Sequence, residues 1–203
     1  MESSSIKSLS NGVFSIVMTL LILELHVPVI GAADAPSLLA SNLLAMWPKF
    51  LSCAVSFVVL GVFWTFFHRQ LSFVAVCDGP TIWLNVVFLM SVSLLPFSTA
   101  LLGDYREFPI AFLFYGGNVF ITCLLLLAQL FYIDANQQLR KPANQSALNR
   151  LKAVYGSVCV AVAVAVVFSL TNPDFSLLIF ALLSLGLVAF QVTRKTEDAG
   201  ESA

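Results

Sequence analysis

Six apolar stretches, each about as long as a bilayer is thick, take up most of this chain and leave it few ways to fold. They run over residues 8–28, 46–67, 80–102, 109–133, 151–171 and 174–193. A helical crossing needs roughly 20 predominantly apolar residues, and each stretch meets that length. Of 203 residues, 59% are hydrophobic and only 10% are charged, and the mean hydropathy is +0.94. That leaves too little polar surface to clothe a water-soluble globule. The reading is an all-α integral membrane protein in which residues 1–203 form a single six-helix transmembrane domain, with the lipid bilayer as its surroundings.

Formal net charge is −1, and no basic run is present, so a nucleic-acid partner is excluded from the candidate functions. The basic residues do set an orientation, because cytoplasmic loops retain Lys and Arg. With the amino terminus inside, Lys7, Arg69, Arg140, Lys141, Arg150, Lys152, Arg194 and Lys195 are cytoplasmic, and only Lys49 and Arg106 lie outside. Both termini are thus predicted to be cytoplasmic, in the cell inner (plasma) membrane. A cleaved secretory leader over residues 1–33 is the competing reading, since Lys7 precedes an apolar run and Gly31-Ala32-Ala33 are small. Polar Ser10, Asn11, Ser15 and Thr19 interrupt that run, and Glu24 and His26 fall where its core should still be apolar, so retention as helix 1 fits better. Cys53, Cys77, Cys123 and Cys159 sit in separate segments without a CxxC pair; this spacing points to neither disulfides nor a metal, and no cofactor is expected.

Helix 1 is the unusual span, because polar side chains in hydrocarbon either pair with another helix or face water. At ~100° per residue, Ile16, Leu20 and Leu23 share a face about 60° wide, with Gly12 and Thr19 beside it and Ser15 and Asn11 at its edge. Several copies around an axis would stack these branched side chains into rings that block ions by dewetting, with Thr19 supplying oxygen close by. Spacing alone favours the plainer reading, in which the face packs against other helices. Ser10 points away from Ile16 and suits an interhelical bond, while Glu24 suits a solvated anchor more than a ring of charge at a mouth.

In helix 2, Trp47-Pro48-Lys49-Phe50 and Phe63-Trp64 with His68-Arg69 carry interfacial chemistry at opposite ends. Antiparallel to helix 1, it brings His68 to the depth of Ser10 and Asn11, which allows a hydrogen-bonded group of Ser10, Asn11, His68 and Arg69; plain snorkelling of His68 and Arg69 is the alternative. Pro96 should kink helix 3. Asn85, Ser91 and Ser93 suit interhelical bonding, and Gly116 and Gly117 in helix 4 suit close packing.

Leu9-Ser10-Asn11-Gly12-Val13-Phe14-Ser15-Ile16, Trp47-Pro48-Lys49-Phe50, Phe63-Trp64 with His68-Arg69, and Leu94 through Gly103 together resemble the bacterial branch of the lysosomal potassium channel family, also called the transmembrane protein 175 family. That resemblance implies a homotetramer with helix 1 of each subunit lining a central pore, six transmembrane helices per subunit and potassium and other monovalent cations as the permeant partners. It places the narrowest point at Ile16, with further layers at Leu20 and Leu23, and Ser15 and Thr19 as polar neighbours. The chain has no Thr-Val-Gly-Tyr-Gly filter, so selectivity for potassium over sodium is expected to be modest. Two residues depart from the family pattern: Asn11 stands where the family has an acid, and Ser5 where it has an arginine. Losing both charges together avoids burying one of them unpaired. Phe67 likewise replaces the first of two tandem histidines.

A secondary transporter is the runner-up, though no internal duplication is evident. A non-conducting membrane scaffold is a further alternative. An intramembrane enzyme would need convergent carboxylates, a metal cluster or a nucleophile with its base, and the carboxylates here lie at helix ends and in loops.

Overall fold

The computed structural model describes residues 3–31, 35–136, 138–139, 145–171, 181–182 and 185–186, and within them the chain is helical. Among the described residues seven named helices follow in order: α1 (Ser3–Leu23), α2 (Ala35–Ala45), α3 (Trp47–Ser72), α4 (Gly79–Ser93), α5 (Leu95–Asp104), α6 (Pro109–Ala135) and α7 (Gln145–Thr171). Counting α4 and α5 as one bent span, five segments are long and apolar enough to cross a membrane. The sixth expected crossing, 174–193, lies almost wholly outside the described residues.

Prolines set the helix starts. Pro48, Pro80, Pro96 and Pro109 all occupy first turns, where a missing N–H costs nothing and the fixed φ already suits a helix. Pro96 also divides the third crossing as expected: without its N–H the Val92 carbonyl loses its usual partner. α4 accordingly ends at Ser93, and Leu94 closes a tighter turn onto the Ser91 carbonyl at 3.3 Å.

Two expectations shift. Helix 1 spans Ser3–Leu23 rather than 8–28. It stops early because a helical Pro28 would drive its ring into the carbonyl four residues back, at Glu24. That carbonyl is taken instead by the backbone N–H of His26 at 3.1 Å, with the His26 ring Nδ1 3.0 Å away. Residues 29–45, expected as loop, contain the 11-residue α2, which is too short to span and lies almost entirely exposed.

Contacts between helix ends fix the alternation. Asn11 meets His68, Asp78 meets Tyr132, and Asp134 pairs with Lys152 at one end of the bundle. Lys49 pairs with Asp104 at the other. Asp78 caps α4, accepting from the Thr81 backbone N–H at 2.9 Å and from the Tyr132 hydroxyl at 2.9 Å. These bonds stabilise the carboxylate and hold its pKa at about 2, the Thr81 bonds contributing most. A short antiparallel bridge, Val74 with Leu139, ties the α3–α4 and α6–α7 connections together at the same end.

Inside, packing is aromatic and apolar around a seam of hydroxyls and amides that bond across the helices. Thr99 donates to Ser56 at 2.7 Å and Ser56 to the Tyr115 hydroxyl at 3.1 Å, joining α5, α3 and α6. Asn118 donates to Ser98 at 3.2 Å and Thr122 to Ser91 at 3.0 Å, fastening α6 to the bent span. In lipid such bonds help to hold helices together because apolar burial offers no preference for helix over acyl chain. Ser93, expected between helices, instead donates to the Leu89 carbonyl of its own helix at 2.9 Å. Among the glycines, close approach occurs at Gly103, where an added Cβ would meet Ser52 Oγ at 3.0 Å and Lys49 Cα at 3.4 Å. Gly117 faces open space, contrary to the close packing expected there.

Candidate functional site

α1 has two chemically distinct sides. Ile6, Ser10, Phe14, Val17 and Leu21 recur at helical spacing and are all buried against the bundle. Phe14 anchors this side: its ring lies 6.1 Å from Phe88 of α4 and 6.4 Å from Phe67 of α3, which stack on each other at 5.6 Å. Ser10 accepts from the Asn85 amide of α4 at 3.3 Å, which makes the interhelical bond expected of both residues.

The other side is left uncovered by the described residues. Ile16 is 60% exposed, Leu20 39% and Leu23 69%, and Ser15 and Thr19 are exposed beside them. Thr19 donates its hydroxyl hydrogen to the Ile16 carbonyl at 2.7 Å. The hydrogen is therefore turned back onto the helix, leaving the oxygen lone pairs available as acceptors. The five residues thus share one uncovered surface that combines branched apolar side chains with hydroxyl oxygens.

At the N-terminal part of α1, Asn11 ties the helix to α3. Its Oδ1 accepts from the Trp64 indole at 3.2 Å and lies 2.7 Å from His68 Nε2. An indole nitrogen only donates, so the atom facing it must be the amide oxygen, and His68 must then carry a proton on Nε2. Trp64 and His68 lie four apart on α3 with rings 4.5 Å apart at 61°, so one amide oxygen reaches both. The expected group of four therefore resolves differently. Asn11 and His68 come together, Ser10 goes to Asn85, and Arg69 is exposed next to His68. Sequence reasoning placed Trp64 in the headgroup zone and missed it as a partner of Asn11. The i, i+4 spacing of Trp64 and His68 opposite a polar residue at matching depth was the available signal.

Trp64 also walls a shallow groove with Asn11, Phe14, Ser15 and Met18. The groove adjoins the uncovered side of α1. Among the described residues no group of three or more His, Cys, Asp or Glu is placed to hold a metal ion. Cys123 and Cys159, far apart in sequence, face each other across α6 and α7 as buried free thiols.

Comparison with known proteins converges on one group. Residues 5–96 match the family model described as "Endosomal/lysosomal potassium channel TMEM175". A protein named as a potassium channel from Streptomyces collinus is 41% identical over 104 residues, covering 51% of this chain and 49% of that protein. One from Chamaesiphon minutus is 40% identical over 108 residues, covering 53% of each. The chain thus matches about half the length of these curated relatives. In three dimensions it resembles the crystal structure of "a lysosomal potassium-selective channel TMEM175 homolog" from Chamaesiphon minutus. That likeness has a TM-score of 0.83 at 26% identity and covers 92% of this chain and 96% of that one.

Proposed function

We propose that this chain, whose residues 5–96 match the TMEM175 family model, is a member of that family and a potassium-permeable cation channel. It works as a homotetramer in the cell inner membrane, with both termini cytoplasmic. Its single domain comprises the five described crossings and a sixth over residues 174–193. The observation that carries the reading is the uncovered side of α1. A first crossing that carries Ile16, Leu20 and Leu23 on one exposed face, flanked by Ser15 and Thr19, supports a surface shared with copies of the same helix.

Four α1 helices around an axis stack Ile16, Leu20 and Leu23 into an apolar constriction. Moving a small ion from water into a medium of low dielectric costs of order 20 kcal/mol in the idealised limit, so a dry Ile16 ring is closed to potassium. Conduction then requires that layer to widen enough for the ion to keep water. Thr19 stands one step along the helix with its lone pairs free to receive the ion, because its hydrogen is bound to the Ile16 carbonyl. Hydroxyl oxygens and partial hydration discriminate potassium from sodium only modestly.

Reconstitution in liposomes tests the reading. The purified chain should run as a tetramer by mass and carry single-channel currents in potassium larger than those in sodium. Saturable exchange of a solute without channel currents would make it a transporter. A monomer silent in both measurements would end the proposal.

A further inference from the structure

The loop Tyr105-Arg106-Glu107-Phe108 joins two spans and lies against the first turn of a third, α3, so it sits where the bundle leaves the hydrocarbon. It borders a pocket of about 300 Å³ whose charged lining is Lys49, Asp104, Arg106 and Glu107. Lys49 and Asp104 are engaged with each other in an ion pair. Arg106 lies over the Trp47 ring, its guanidinium carbon 5.6 Å from the centroid. Such a contact holds the cation by the ring face and leaves N–H donors for another partner. Glu107 makes no ion pair or hydrogen bond among the described residues. A fork of donors and a carboxylate thus stand side by side in a pocket whose two cations and two anions cancel.

The surroundings fix the depth. Trp47, Tyr105 and Phe108 are exposed, and the Tyr105 and Phe108 rings lie 6.3 Å apart. Exposed aromatic rings at the ends of spans settle at the level of lipid headgroups. A planar fork matches a phosphate diester, and a carboxylate matches a primary ammonium. A neutral pocket gives no advantage to a lipid with a bare negative charge, and a quaternary ammonium has no hydrogen to donate to Glu107.

We propose that this pocket binds the zwitterionic phosphoethanolamine headgroup of a membrane phospholipid, with the phosphate on Arg106 and the ammonium on Glu107. The site lies apart from the Ile16 face and does not depend on the channel reading.

The test is lipid retention by the full chain in native mass spectrometry, with phosphatidylethanolamine, phosphatidylcholine and phosphatidylglycerol supplied at equal mole fraction. The parent should retain phosphatidylethanolamine about three- to fivefold better than either competitor, the range an exposed ion pair supports. Arg106→Gln should lower retention of all three, and Glu107→Gln should erase the preference over phosphatidylcholine. Both side chains are exposed, so both variants should fold. Equal retention of the three lipids by the parent, or a preference that neither variant moves, overturns the site. Displacement of the lipid by equimolar soluble glycerophosphoethanolamine would assign the pocket to a free headgroup and overturn the lipid assignment.

Discussion

Ile16 and Val17 are neighbours in sequence with opposite surroundings, and a pair of identical substitutions separates pore from packing. Ile16 is 60% exposed and Val17 is 2% exposed. Val17→Asn places an amide in the bundle without a partner, which costs ~1–3 kcal/mol for the unsatisfied groups, and loses apolar packing besides. About 3 kcal/mol in total, in a chain of this size, lowers the melting temperature by roughly 6–12 °C. Ile16→Asn touches nothing buried within the chain and should move stability by less than ~0.5 kcal/mol. In the proposed tetramer the same change puts four amides around the constriction and wets it. Lowering the barrier by only ~1.4 kcal/mol raises the rate about tenfold, so currents in Ile16→Asn liposomes should exceed the parent's at least tenfold, with poorer discrimination against sodium. Scanning fluorimetry and paired potassium and sodium flux on the parent and both variants make the measurement. Unchanged flux in a folded, tetrameric Ile16→Asn variant refutes Ile16 as the constriction.

Other outcomes follow from the same geometry. Gly103→Ala pushes a methyl to 3.0 Å from Ser52 Oγ and should destabilise by ~1–3 kcal/mol. Gly117→Ala meets nothing within 4 Å and should be neutral or stabilise by up to ~1 kcal/mol, both read as thermal shifts in detergent. Asp78 has its pKa depressed to about 2, so its contribution is present above the unfolded carboxylate value and is lost as pH falls toward 2. A melting-temperature profile from pH 5 to pH 2 should therefore drop less steeply in Asp78→Asn than in the parent. Asn11→Ala leaves Trp64 and His68 without their shared acceptor and should cost ~1 kcal/mol, whereas Asn11→Asp, which keeps an oxygen there, should retain the tie between α1 and α3. A short bifunctional thiol reagent joining Ser10→Cys to Asn85→Cys, with the native cysteines replaced, should leave channel currents intact.

Length and hydropathy were enough to read five crossings, because each is set by a single physical requirement, the thickness of hydrocarbon. The break at Pro96 was legible for the same reason, one missing N–H with one consequence. α2 was not: Ala35–Ala45 is uncharged and carries four leucines without the length of a span, so hydropathy gave it no element type. The end of α1 was misplaced because Leu25 and Val27 continue the apolar run, while the clash that stops the helix acts backward from Pro28 onto Glu24. In the candidate site, periodicity gathered Ile16, Leu20 and Leu23 onto one face, and all three are exposed. It gave no means to say whether that face was covered, since cover depends on where the other helices lie. The partners of Ser10 and Asn11 were open for the same reason: Asn85 and Trp64 are chosen by helix rotation, which no one-dimensional pattern records.

That rotation also bears on how the proposed gate opens. Turning α1 about its own axis until Ile16, Leu20 and Leu23 left the pore would draw Phe14 out of its contacts with Phe67 and Phe88. It would also break the bonds of Ser10 to Asn85 and of Asn11 to Trp64 and His68. Losing the Phe14 ring contacts costs ~1 kcal/mol, and three interhelical hydrogen bonds in a membrane add ~2 kcal/mol at ~0.6 each. Four subunits turning together would then meet about 12 kcal/mol, above the few kcal/mol that separate interconverting states. A tilt of α1 about its anchored N-terminal half, or a rotamer change at Ile16, leaves every one of these contacts in place. Asn11 suits that role without a charge: its amide oxygen serves two donors, so the anchor requires no compensating arginine at Ser5. The bridge between positions 10 and 85 discriminates the two motions, since it forbids the turn and permits the tilt.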